Sequence, residues 1–398
     1  MAVTAAGIVA EYNPFHRGHE YHLAKTRESV SCDGIIAVMS GNFVQRGEPA
    51  IFNKSARAAA AVNGGADLVI ELPLPRALSS AEGFAEGAVE LLKATGIVKY
   101  LSFGSECGDA SLLGEAAEAL LSQGIDDEIK RQLSLGISYP AARQAALQSV
   151  TGKSWDAIAQ PNNLLGTEYI KAIKKLGAGI EPVAIKRYGS EHDGEGGDMP
   201  SGSEIRRRLE NNEDISGLIP EGAAEIFSAE IHEGRGPVFP QSLEKAMLSR
   251  LRMLPEESFA AIPDASEGLN NKIYSAVRNG ASVSEIINLA SSKRYAVSRI
   301  RRMLLCASLG VTAEHQKKSP PYIRVLAFND KGRKLLHEMK KKASLPIITK
   351  PADVRSLSPE CIELLSLEAA AGDFYSLGFR DDAVGPCGSD YRLSPRHL

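Results

Sequence analysis

His16 and His19, with Arg17 and Gly18 between them, place two imidazoles three residues apart where a β-like run, Gly7 to Tyr12, breaks at Asn13-Pro14-Phe15 and a helical pattern begins. If the first helical turn starts between them, the two rings face one ligand, and there they can stabilise a leaving pyrophosphate. Pro14 interrupts the strand ladder, and Gly18 lets the backbone approach an anion with no side chain in the way. Free N–H groups and the helix dipole then favour phosphate. His22 adds a third imidazole one turn on, but the chain has neither Cys-x-x-Cys nor His-Glu-x-x-His, so the spacing predicts a phosphate site and no metal site.

A second cluster lies in Ser201-Gly202-Ser203-Glu204-Ile205-Arg206. Ser203 reads as an N-cap with Arg206 one turn later, so a hydroxyl, backbone N–H groups and a guanidinium can converge on triphosphate oxygens. Gly104 follows a strand and allows close approach of a flat base or ribose, or else simply makes a turn. Asn162 and Asn163 after Pro161 suit a base edge or a helix cap, and Lys186-Arg187 ends a strand on the same presumed side. The polar loop Ser40 to Pro49 sits where such folds bind substrates, with Lys54, Arg57 and Asp67 nearby as acceptor contacts or ordinary surface charges.

Short apolar runs position these groups: Gly34 to Met39, Asp67 to Leu72, Tyr100 to Phe103 and Pro182 to Arg187 read as buried strands separated by helical stretches. Continuous apolar strands alternating with helices predict a doubly wound parallel sheet, Rossmann-like, with its ligand at the carboxyl ends of the strands. We expect three parts. Residues 1–225 form the doubly wound domain with the phosphate site, 226–315 a mainly helical region with a basic face, and 316–398 a small basic α/β module.

At 398 residues and 43% hydrophobic composition, the chain can bury several cores. Five cysteines without metal or disulfide spacing, and no apolar run of membrane length, fit a cytoplasmic protein. Net charge is −3, yet residues 291–350 hold 15 basic and 3 acidic side chains. A polyanion is drawn to such a window. Lys293, Arg294, Arg299, Arg301 and Arg302 surround Tyr295, a stacking surface, and Lys317, Lys318, Lys331, Arg333, Lys334 and Lys340 to Lys342 extend the charge.

His16-Arg17-Gly18-His19 with Ser203-Glu204-Ile205-Arg206 resembles the two-part signature of the HIGH-motif nucleotidyltransferases, which attack the α-phosphate of ATP and release pyrophosphate. Glu11 to His16, Met39 to Phe43, Gln45 to Pro49, Asp67 to Pro73, Phe103 to Glu106 and Lys293 to Tyr295, in that order, resemble the bacterial tRNA(Met) cytidine acetate ligase family over nearly the whole chain. Arg17 departs from the asparagine common there. The resemblance implies that acetate and ATP form acetyl-adenylate, and that the acetyl group passes to the wobble cytidine of elongator tRNA(Met), giving N4-acetylcytidine. It implies catalytic roles for His16, His19, Ser203 and Arg206. Val9, Ala10, Glu11, Tyr12, Asn13, Pro14, Phe15, His16, Arg17, Gly18, His19, Glu20, Tyr21 and His22 would then form the ATP loop, with Gly104, Asn162 and Arg187 as further contacts. Mg²⁺ is expected with the triphosphate rather than in a protein cage. Two other readings are a small-molecule adenylyltransferase or carboxylate ligase, which needs no basic platform, and an inactive tRNA- or ribosome-binding protein, which needs no intact histidine pair.

Overall fold

The computed structural model describes residues 3–187, 201–266, 268–292 and 295–398. The chain enters through β1 (Ala5–Ala10), passes a cis Asn13-Pro14 peptide into α1 (Arg17–Ser29), and returns as β2 (Gly34–Ser40). A short antiparallel ladder of β3 (Phe43–Val44) and β4 (Glu48–Pro49) leads to α2 (Lys54–Asn63) and β5 (Leu68–Leu72). After α3 (Ala81–Ala94) and β6 (Val98–Ser105) come three helices within residues 110–151, then α4 (Pro161–Lys175), β7 (Glu181–Lys186) and α5 (Gly202–Glu210). Helices dominate from Glu221 onward, through α6 (Val297–Leu309) and a short helix over Ala313–Lys317. Last come β8 (Ile323–Phe328), α7 (Asp330–Lys342), β9 (Ile347–Ile348), α8 (Pro359–Ser376) and β10 (Arg396–His397).

The central sheet runs β10-β8-β5-β2-β1-β6-β7, with β9 on β8. The five adjacent strands β5-β2-β1-β6-β7 are parallel, and β1 lies between β2 and β6, where the winding reverses. The crevice beyond the carboxyl ends of β1 and β6 is therefore the ligand position of a doubly wound fold. Period-two alternation sends Ile36, Val38, Leu68 and Ile70 to one face, against Leu91 and Leu92 of α3 and Ile170 of α4. Ile35, Ala37, Met39 and Val69 go to the other, against Leu23 of α1 and Ala56 and Ala60 of α2.

The sheet is not wholly parallel. Strand β8 pairs antiparallel with β5, Leu68 opposite Phe328, and β10 pairs with β8, so residues beyond 316 extend the first domain's sheet. All five residues of β5 are buried, and left as an edge it would present unpaired backbone groups; β8 covers them. A buried charge cluster marks this junction. Lys54 Nζ donates to Glu71 at 2.8 Å and to Asp390 at 2.9 Å, and Arg324 Nη2 donates to Asp390 at 2.9 Å. Lys54 and Glu71, expected near an acceptor site and in a strand, thus hold the C-terminal segment onto the sheet. Asp67 is likewise structural, accepting from Ile35 N at 2.8 Å and Arg27 Nη2 at 2.6 Å. Among the described residues no helix is long and apolar enough to cross a membrane.

Candidate active site

His16 is the N-cap of α1, extended at φ −146° and ψ 173°. Its Nδ1 accepts from Gly18 N at 3.1 Å, while its own N–H donates to His19 Nδ1 at 3.3 Å. Two imidazoles thereby form a capping box, a job usually done by a hydroxyl and a carboxamide or carboxylate. The consequence is chemical. With both Nδ1 atoms accepting backbone protons, the neutral rings must carry their hydrogens on Nε2, as donors. Burial, then Arg187 and Arg206, hold His16 in the neutral form, pulling it from 6.5 down to about 4. Burial and the neighbouring His16 push His19 down as well. The rings stack with centroids 3.8 Å apart. A Cβ at residue 18 would sit 2.9 Å from His16 Cε1, so the glycine makes room for the cap.

The loop before the helix is braced from several sides. Tyr12, at φ 46°, packs edge-on against Phe15 and His19 at 5.0 and 4.9 Å. Asn13 Oδ1 accepts from Ile51 N at 2.7 Å, and Glu11 Oε1 accepts from Gln45 N at 2.8 Å. Burial raises the Glu11 carboxyl above its usual range. Val9 and Ala10 end β1 half-buried; Pro14 and Phe15 are buried; Glu20 and Tyr21 are half-buried on α1. Arg17 is exposed, and its Nε donates to the carbonyl of Gly217 at 2.9 Å, which fastens the start of α1 to the segment after α5. His22 Nε2 lies 3.0 Å from Ser102 Oγ on β6, and burial pulls this ring down to about 4 too.

The second cluster meets the first. Arg206 Nη1 donates to the carbonyl of Asn13 at 2.7 Å, and its Nη2 donates to Ser203 Oγ at 3.2 Å. The N-cap of α5 is Ser201, accepting from Glu204 N at 3.1 Å, and not Ser203 as expected; Gly202 already begins the helix, which moves Ser203 into its first turn. Ser203 faces Arg206 instead. Gly104 and Arg187 are cross-strand neighbours at the end of the β6–β7 pair, and Arg187 N donates to Ser105 O at 2.9 Å. Asn162 sits at the start of α4, its amide held by Glu106.

Three residues mark what sequence reading missed. Arg57, entertained as an acceptor contact, is fully buried, and donates to the carbonyls of Phe52 at 2.8 Å, Ser40 at 3.1 Å, and Glu11 and Gly41. It ties the carboxyl ends of β1 and β2 together. Ser102 and Glu106, inside a strand and just after one, hold His22 and Asn162; only a pairing of distant segments reveals them.

The basic window divides in two. Lys293 and Arg294 lie outside the described residues. Arg299 stands over Tyr295 at 5.4 Å, and its Nη2 donates to Asp264 O at 2.9 Å and Ser266 Oγ at 2.8 Å. Arg302 pairs with Asp264 at 3.3 Å, and Arg301 with Glu48. These arginines fasten α6 to its surroundings, and the close packing of Gly47 on Arg301 and Arg302 docks α6 against the β3–β4 loop, which Gln45 N ties to Glu11. By contrast, Lys331, Arg333, Lys334 and Lys340 to Lys342 are exposed on α7. That helix crosses the amino ends of the strands, where Gly332 touches Asp67 O, Leu335 faces Gly34 and Ser344 N donates to Ala94 O at 3.0 Å.

Paired Nε2–H donors at a helix N-terminus, with guanidinium groups from α5 and from just after β7 beside them at the switch point of a doubly wound sheet, define a nucleotidyltransferase site. The family model for HIGH Nucleotidyl Transferase matches residues 3–385. A tRNA(Met) cytidine acetate ligase of Acetivibrio thermocellus is 38% identical over 404 residues, covering 97% of both chains. One from Thermoanaerobacter sp. is 42% identical over 389 residues, covering 95% of this chain and 96% of the relative. The crystal structure of Thermotoga maritima TmcAL bound with alpha-thio ATP superposes with a TM-score of 0.93 at 37% identity over 100% of both chains, and its apo form does so at 36%. The chain belongs to the tRNA(Met) cytidine acetate ligase family of HIGH nucleotidyltransferases.

Proposed function

We propose that the protein uses ATP to activate acetate as acetyl-adenylate and transfers the acetyl group to N4 of the wobble cytidine of elongator tRNA(Met). In the first half-reaction an acetate oxygen attacks the α-phosphorus and pyrophosphate leaves. In the second, the cytidine amine attacks the acetyl carbonyl, loses a proton and expels AMP. Acetate is already a nucleophile and the acyl adenylate is already activated, so positioning and charge stabilisation suffice.

The observation that carries this reading is the pair of Nδ1-accepting imidazoles, whose Nε2–H groups become fixed donors for phosphate oxygens. Arg206, and Arg187 beyond it, supply positive charge to the departing pyrophosphate, with Ser203 orienting Arg206. Val9 through His22 wrap the triphosphate, and Gly104 and Asn162 take the base. The donors here are imidazole and guanidinium nitrogens, and among the described residues no group of three or more His, Cys, Asp or Glu side chains gathers to hold a metal. The site does not fit a protein-held Mg²⁺, so the ion is proposed only as a companion of the triphosphate.

For the RNA, we place the wobble base near the β3–β4 loop and the adjoining end of α6, with Tyr295 and Arg301 on that side; Arg299 and Arg302 position α6 through Asp264, and Lys293 and Arg294 precede it in sequence. We place the activity in the cytoplasm, with tRNA. Incubation with ATP, labelled acetate and total tRNA, followed by nucleoside analysis, tests the whole reading. Label in N4-acetylcytidine from tRNA(Met) is the expected outcome. Pyrophosphate release without labelled RNA would leave an adenylating enzyme with another acceptor, and no acetate-dependent release would end the proposal.

A further inference from the structure

Glu106 and Asn163 form a reciprocal lock between the end of β6 and the start of α4. The Glu106 carboxylate accepts from Asn163 N at 2.8 Å through Oε2, and from Asn162 N at 3.2 Å through Oε1. Asn163 Oδ1 answers by accepting from Ser105 Oγ at 2.6 Å, Glu106 N at 2.9 Å and Cys107 N at 3.3 Å. Capping alone accounts for all these bonds. It does not account for one more: Asn162 Nδ2 donates to Glu106 Oε1 at 2.5 Å.

That bond fixes which way the Asn162 amide points. A carboxylate accepts hydrogen bonds and offers none, so only the amide nitrogen can face it. Oδ1 is left pointing away, and among the described residues it receives no hydrogen bond. Among the described residues the second Nδ2 hydrogen meets no acceptor either. One acceptor and one donor, side by side on a held amide, match the N6 amine and an adjacent ring nitrogen of adenine. Guanine presents O6 in place of N6 and would set two acceptors against each other. The amide cannot turn over to meet it, because its Oδ1 would then face the Glu106 carboxylate.

The same carboxylate also occupies the first turn of α4, where a free helix N-terminus would attract phosphate. Triphosphate is therefore directed to α1, and a neutral base fits beside Gly104, where a Cβ would meet only Arg187, at 3.5 Å and beyond. We propose that Glu106 is a specificity-determining residue that orients the Asn162 amide so that the site accepts adenine nucleotides and rejects guanine nucleotides. The inference rests on the reading that the base lies against Gly104 and Asn162.

Equilibrium binding of ATP and of GTP to the full-length protein, with melting temperature measured in parallel, tests it on wild type, Glu106→Gln and Asn162→Ala. Gln at 106 keeps the shape but has an amide of its own to donate, so Asn162 can turn over. The expected result is a fall of about tenfold or more in the ATP-to-GTP affinity ratio for Glu106→Gln, carried largely by tighter GTP binding, with ATP affinity within about threefold. Asn162→Ala should weaken ATP about tenfold and lower the ratio as well. If Glu106→Gln lowers the melting temperature and leaves the ratio at the wild-type value, Glu106 is only a cap and the inference fails while the nucleotide site stands. An unchanged ratio in Asn162→Ala removes the base from this amide and overturns it too. Wild type that binds neither nucleotide would overturn the site and this inference together.

Discussion

Arg206 reaches across 193 residues of sequence to donate from Nη1 to the main-chain carbonyl of Asn13 at 2.7 Å. The bond joins the two halves of the signature into one surface before any nucleotide arrives. Arg206→Ala removes both the brace and a cation, and we expect pyrophosphate release to fall at least about 100-fold, as for loss of a transition-state donor. Arg206→Lys keeps the charge but has no planar fork to hold Asn13 O, Ser203 Oγ and a phosphate oxygen together, and should recover only part of the rate. Steady-state assays of acetate-dependent pyrophosphate release, beside thermal melts, check both. A wild-type rate in Arg206→Ala would remove Arg206 from the machinery, and one in Arg206→Lys would reduce its role to charge alone.

The neutral imidazoles give stability a definite pH dependence. Folded His16 and His22 protonate near 4 against an ordinary 6.5, and His19 is also pushed down. The unfolded chain therefore binds more protons between those limits. The stability that neutral His16 contributes is complete above about pH 6.5 and is lost as pH falls toward 4, by about 3 kcal/mol at most. Urea unfolding at pH 7, 5.5 and 4.5 should show the decline. His16→Asn retains a capping acceptor without a titrating ring and should flatten part of the slope; an identical slope in that variant would contradict the assignment.

Much of this was legible in the sequence, and the reason is periodicity. Gly34 to Met39 and Asp67 to Leu72 are apolar without interruption because both faces of a parallel strand are covered, and the histidine pair announces itself by spacing and by the Pro14 before it. What stayed hidden depends on partners far away in the chain. Nothing local distinguishes Arg57, buried among four carbonyls, from a surface cation, or tells that β8 pairs antiparallel with β5. The net charge of residues 291–350 was plain, but the division between arginines committed to Asp264 and Glu48 and exposed cations on α7 required the fold.

Gly18 is required by its neighbour's ring, not by its own backbone conformation. A methyl group there would stand 2.9 Å from His16 Cε1 and 3.1 Å from Nδ1. Gly18→Ala should displace the imidazole, break the Gly18 N–H bond to it and cost about 1 kcal/mol as a lost N-cap. The rate should suffer more than the fold, because the displaced ring no longer presents Nε2–H to phosphate. Denaturant unfolding and pyrophosphate release measured on one preparation separate the two; stability lost with the rate intact would show that His16 only caps α1.

Asp390 carries the junction between the sheet and the C-terminal segment. It accepts from Lys54 at 2.9 Å and Arg324 at 2.9 Å, and those two cations hold its carboxyl below its usual range against the upward push of burial. Asp390→Ala leaves two buried cations to Glu71 and Glu368, and we expect a loss of about 3–5 kcal/mol, as for breaking a buried pair. Urea unfolding measures it. A loss under about 1 kcal/mol would mean that water enters the cluster and that the segment is held mainly by the β5–β8 ladder.

The two groups of cations make opposite forecasts for RNA. Arg301 lies beside the β3–β4 loop, which touches Glu11 just past the carboxyl end of β1, whereas Lys340, Lys341 and Lys342 end a helix that crosses the entry side of the sheet, about 20 Å away along strands of six residues. On the proposed reading, acetyl transfer needs the cytidine at the carboxyl ends. Replacing Arg301 with Ala frees the Glu48 carboxylate next to the incoming RNA as well as removing a cation. We expect tRNA affinity to fall several-fold and the slope of log affinity against log salt to drop by about 1. Replacing all three lysines with Gln should change affinity less than about twofold at 150 mM salt and leave single-turnover acetyl transfer unaltered. Filter binding across a salt series decides between the surfaces. A loss of slope of about 3 in the lysine variant, with Arg301→Ala unchanged, would move the RNA to α7 and require the tRNA to wrap around the edge of the sheet.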